Sequence, residues 1–136
     1  MDKKVSISKP KAGWGTLSIF TKEAGWAQIS MSYIQDIPTK LLDTFIEYLT
    51  EKTNMEDILS FTFDQEGNEI ILISNMYRTY IIDDGNENLY ISEMDIIEFI
   101  KWSIEEFNEN LDDWSNFCNF ENDPETFKKT KFEIQW

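Results

Sequence analysis

The chain has no histidine, a single cysteine and a single arginine among its 136 residues. Without histidine, no side chain has an ordinary pKa near neutrality, and the commonest metal ligand is missing. Zinc sites of the usual Cys and His kinds are excluded, as are Ser/His/Asp and Cys/His catalytic arrangements. Cys118 has no second thiol to pair with, so no internal disulfide can form and a reducing cytoplasm is the expected location. Lying between Phe117 and Phe120, it reads as a small core residue. Glycine is scarce as well. Gly13 and Gly15 bracket Trp14 with no helix signal after them, so this G-x-G is not a phosphate loop. No apolar run approaches the roughly 18–20 residues of a membrane span. The opening Met1-Asp2-Lys3-Lys4 leads into Val5–Pro10 without the apolar stretch of a cleaved signal. These absences predict a soluble protein that is not an enzyme and carries no cofactor and no metal.

What the chain has in quantity is negative charge and large side chains. Hydrophobic residues make up 41% and aromatics 15%, enough to build a core and to exclude a disordered acidic tail. A single globular domain over residues 1–136 is expected. The net charge is −14, and it is unevenly spread. Residues 53–127 hold nineteen acids against Arg78 and Lys101, a net −17, while the remainder carries +3. Five lysines lie in the first 22 residues. Such a field repels nucleic acid and anionic membrane and attracts basic proteins.

Along the chain, residues 1–12 read as a loose, lysine-rich leader. Trp14–Thr21 reads as a strand, Lys22–Gly25 as a turn, and Ala27, Ile29, Met31 and Tyr33 as the buried face of a second strand. Asp36-Ile37-Pro38 opens a helix, with Asp36 as N-cap and Leu42, Phe45, Ile46 and Leu49 on one face up to about Lys52; Thr53-Asn54 ends it. Leu59, Phe61 and Phe63 alternate with Ser60 and Thr62 in a strand. "EIILIS", residues 69–74, is apolar on both faces and so reads as a central strand. Residues 78–82 and 89–91 complete the strands around the turn Asp83–Asn86. Ser92, Glu93 and Asp95 start a long helix whose stripe is Ile97, Ile100, Ile104, Phe107 and Leu111, with a break at 108–112 before Trp114 and Phe117. A helix start at Asp123-Pro124-Glu125 and a strand through Phe132, Ile134 and Trp136 close the chain. The fold class is α+β: an antiparallel β-sheet with helices packed on one face.

Two acidic stretches raise the question of chemistry. Asp84, Asn86, Asn88, Ile91 and Asp95 fall at positions 1, 3, 5, 8 and 12 of a calcium loop, but Leu89 stands where the loop needs Gly. A hairpin turn at Asp84-Gly85 is the better reading. Paired carboxylates for glycoside chemistry are not signalled, because twenty-six acids make some pair inevitable. The second stretch is "IKWSIEEFNENLDDWSNF", residues 100–117, with Glu105, Glu106, Glu109, Asp112 and Asp113 balanced by Lys101 alone. Like charges three and four apart each cost a helix about 0.2–0.5 kcal/mol. Solubility would be served as well by mixed charges. A single-sign field suits the capture of a basic partner.

The size, the charge and the pattern "WAQISMSY…IPTKLLDTFIEYL…EIILIS…DIIEFIKWSIEEFNENLDDWSNF" resemble the immunity proteins of bacterial polymorphic toxins, including those of contact-dependent growth inhibition. The resemblance implies a cognate toxin and protection of the producing cell by binding. The expected partner is a basic toxin domain, a nuclease, met by Glu105, Glu106, Glu109, Asp112 and Asp113 and, second, by Asp83, Asp84 and Glu87. The alternative reading is an acidic adaptor or a DNA mimic without a toxin partner.

Overall fold

The computed structural model describes residues 3–32, 35–50, 58–115 and 117. Among the described residues, two antiparallel sheets and three helices make up an α+β fold. The three-stranded sheet has the order β1 (Val5–Ile7), β2 (Trp14–Thr21), β3 (Gly25–Ser32). The four-stranded sheet runs β4 (Leu59–Asp64), β5 (Glu69–Ser74), β6 (Thr79–Asp83), β7 (Asn88–Ser92), each strand paired with the next in sequence. One sheet was expected and two are found. Between them stands α1 (Ile37–Thr50), which separates β3 from β4 in the chain.

Alternation positions the strands as expected. Leu59, Phe61 and Phe63 of β4 and Ile70, Leu72 and Ser74 of β5 are buried, while their neighbours are exposed or half-buried. β5 is an interior strand, as its apolar character on both faces requires. Asp36 caps α1, accepting from the Thr39 N–H at 3.4 Å, and Pro38 sits in the first turn, where its missing N–H costs nothing. α2 (Ile96–Glu109) starts one turn later than Ser92: its N-cap is Asp95, whose side chain accepts from the Glu98 N–H at 2.9 Å. The break at Asn110 is real, and α3 (Leu111–Ser115) follows it.

The leader expectation is corrected. Val5–Ile7 forms β1, with Val5 and Ile7 buried in the core and paired with Ile19 and Leu17 of β2. Three residues are too few for alternation to stand out among lysines, so only tertiary pairing reveals the strand. β1 is an edge, and α2 packs along it.

One core joins both sheets and the helices. Phe45 of α1 meets Phe99 of α2 edge to face at 5.7 Å, and Phe107 of α2 meets Trp114 of α3 at 5.3 Å. The six-membered ring of Trp114 reaches the backbone of Gly15 in β2. A Cβ at Gly15 would sit 2.9 Å from the Trp114 Cζ2 and closer still to its Cη2, so only glycine lets the indole reach the sheet. The helix end at Thr53-Asn54, Tyr33, Cys118, the helix start at Asp123 and the strand through Phe132–Trp136 lie outside the described residues. No described helix is long and apolar enough to cross a membrane.

Candidate protein-binding surface

The acids of α2 and α3 fall into two sets. Glu98 and Glu106 of α2 and Asp113 of α3 are met by lysines of the N-terminal segment, whereas Glu105, Glu109 and Asp112 are exposed. Lys3 Nζ lies 3.0 Å from Glu106 Oε2, Lys4 Nζ 2.7 Å from Glu98 Oε2 and Lys9 Nζ 3.8 Å from Asp113 Oδ2. Farther along, Lys22 reaches Glu93 at 3.5 Å. The separation of charge seen along the sequence is thus partly an internal complement: the basic N-terminus folds back against its own acidic helix.

Glu106 departs from the expected role. Its side chain is only 3% exposed, and both oxygens are engaged. Oε1 accepts the Ile7 N–H at 3.0 Å, a donor that the edge strand β1 would otherwise leave unpaired, and Oε2 meets Lys3. The Lys3 ammonium is held above its ordinary 10.5 chiefly by the hydrogen bond to Glu106; partial desolvation opposes this, and the fields of Glu106 and Glu109 add to it. Glu106 therefore fastens α2 to β1 and presents no carboxylate to a partner. The sequence alone groups Glu106 with the other acids of residues 100–117 as a surface for a partner, and so misses this role. The signal that could have found it is the position of Glu106 beside Phe107, on the stripe shared with the buried Phe99 and Ser103.

The remaining acids face outward. Glu105, Glu109 and Asp112 are exposed and Asp113 is half-buried. Among the described residues no cation forms an ion pair with Glu105 or Glu109. The second expected group is also divided. Asp83 is structural: its carboxylate accepts from the Asn86 N–H at 3.4 Å and the Asn86 Nδ2 at 2.8 Å, and it lies 3.4 Å from the Asn68 Nδ2. That holds the 3₁₀ turn Asp84–Asn86, in which Asp84 is exposed, and Glu87 follows it in the left-handed conformation at φ 54°. Asn88 and Ile91 belong to β7, where they point to opposite faces, and Asp95 caps α2, so the calcium-loop positions do not converge. Among the described residues, no group of three or more acids or thiols gathers to hold a metal.

A shallow cavity of about 180 Å³ opens between Tyr48, Met76, Asp95, Ile96 and Ile97. The single carboxylate on its wall already caps α2, so this cleft offers little to orient a polar ligand. The comparisons with known proteins add no assignment: no protein family, no curated protein and no solved structure matches this chain.

Proposed function

We propose that this protein is an immunity-type inhibitor that binds and neutralises a basic toxin domain, a nuclease, in the cytoplasm of the cell that makes it. One observation carries the reading. The fold commits Lys3, Lys4 and Lys9 to the β1 side of α2 and α3, yet leaves Glu105, Glu109 and Asp112 exposed on a chain of net charge −14. Glu105 and Glu109, four apart on α2, repel each other, which opposes helix stability and is tolerated. A field of one sign on a folded surface raises the rate at which an oppositely charged protein is captured. Carboxylates placed where phosphates would bind also block a nuclease without any chemistry by the inhibitor.

The test is recovery of the tagged protein from its native host, with the bound species identified by mass spectrometry and assayed for nucleic-acid cleavage. The expected result is one basic polypeptide at equal stoichiometry whose cleavage activity falls as this protein is added. Recovery of several DNA-processing enzymes instead would favour the mimic, and recovery of a partner with no toxic activity would remove the immunity role.

A further inference from the structure

Strands β5, β6 and β7 are apolar on both faces, but the core uses one face only. On the outward face the register places Ile71, Ile82 and Leu89 side by side, and next to them Ile73, Tyr80 and Ile91. None of these six belongs to the core shared by the sheets and helices. Leu89 is 59% exposed and Ile91 41%. A sheet face that only needs water would alternate to polar residues here, as β4 does with Ser60 and Thr62. Ile71, Ile73, Tyr80 and Ile82, beside Leu89 and Ile91, are half-buried. A single exposed apolar residue needs no explanation, whereas contiguous apolar rows that keep part of their surface in water mark an interaction surface.

The border of this face is acidic at the end nearest the β4–β5 and β6–β7 turns, while the exposed Arg78, two residues before Tyr80, stands at the other end. One position beyond the apolar rows, Asp64 stands opposite Glu69, and Asp84 and Glu87 follow on from β6 and precede β7. All four are exposed, and none forms an ion pair among the described residues. An apolar centre with a charged border is the anatomy of a protein interface. The acidic end of the border selects the occupant. Nucleic acid is repelled, and a second copy brings a further −14 to an already acidic face. We infer that this outward face of the four-stranded sheet is the docking surface for a polypeptide that presents an apolar centre edged by lysine and arginine. The inference rests on the inhibitor reading above and gives that contact its place: Ile71, Ile73, Tyr80, Ile82, Leu89 and Ile91 anchor, and the acids steer.

Two synthetic peptides of equal length test it, one alternating lysine with leucine and one alternating lysine with serine. Each is titrated against the whole chain by fluorescence anisotropy at physiological salt. The lysine–leucine peptide is expected to bind about tenfold more tightly, since its apolar side chains add burial that serine cannot. The double variant Leu89→Thr, Ile91→Thr keeps β-branched or short side chains on an exposed strand; it should erase that difference and leave the melting temperature and lysine–serine binding unchanged. Asp84→Asn with Glu87→Asn should weaken both peptides. Equal affinity for both peptides in the wild type, or a double variant that still prefers the lysine–leucine peptide, overturns the docking face while leaving an acidic binder. Failure to bind either peptide overturns the inhibitor reading as well. A dimer in sedimentation equilibrium that the double variant dissociates gives the face to a second copy and also overturns the inference.

Discussion

Glu106 joins a helix, an edge strand and the N-terminus through one carboxylate, so its replacement separates hydrogen bonding from charge. Glu106→Leu leaves the Ile7 N–H unpaired in a buried position and is expected to cost about 1–3 kcal/mol in urea denaturation. Glu106→Gln retains an acceptor for Ile7 and should cost less than the leucine variant. Equal losses would show that the Ile7 hydrogen bond contributes nothing. The Lys3 ammonium adds a pH dependence of known sign. Because its pKa in the fold is raised above 10.5, the stability it contributes is full below that value and fades as pH rises through the higher folded value. Lys3→Met should therefore lower the melting temperature by a constant amount at neutral and mildly alkaline pH, with the gap closing above about 10.5. A gap that widens there would reverse the assignment. Gly15 is constrained by space: Gly15→Ala places a methyl group inside the Trp114 ring contact, and overpacking of this kind costs about 1–3 kcal/mol. Intrinsic fluorescence of the folded variant should report a displaced indole.

Among the elements, β1 separates what pattern can show from what pairing shows. Val5 and Ile7 are as deeply buried as the central strands, so Ile7→Ala should cost about 2–5 kcal/mol, the range for truncating a core side chain. A loose leader would tolerate that change, and a melting temperature left at the wild-type value would restore the leader reading. The long elements were legible because periodicity accumulates. The stripe Ile100, Ile104 and Phe107 is buried as its 4, 3 spacing requires, while Ile97 and Leu111 at its ends are half-buried. The actual buried face is wider and takes in Ile96, Phe99, Ser103 and Glu106, because α2 touches β1 as well as the core.

For the molecule as a whole, the exposed charge decides how partners approach. Charge reversal of Glu105, Glu109 and Asp112 to Lys should leave the fold intact, since all three are exposed; one like-charge pair on α2 replaces another, and cations suit the last turn of a helix better than carboxylates do. Against the partner recovered from the host, the wild-type association rate should fall steeply as salt rises, and the variant's rate should be lower and much flatter. Equal rates at low salt would show that these carboxylates serve solubility alone. Retardation of DNA or RNA in a gel at physiological salt is not expected, because phosphates meet a surface of their own sign.

Composition and periodicity alone determined the α+β class, six of the seven described strands to within a residue or two of their ends, the Asp36 cap of α1, the break between α2 and α3, and the sign of the field around the molecule. These follow from local rules: alternation selects strands, spacing of three and four selects helices, and charge adds without reference to shape. Tertiary structure decided which acids remain available. Glu106 and Asp83 are drawn into hydrogen bonds with residues 99 and 15 positions away, Ile7 and Asn68, while Glu105 and Glu109 keep their faces to water. It also decided that "EIILIS" contributes to two apolar faces, one closed by the helices and one turned outward. The sequence shows that a side chain is apolar or acidic. Only the register of distant strands shows what it touches.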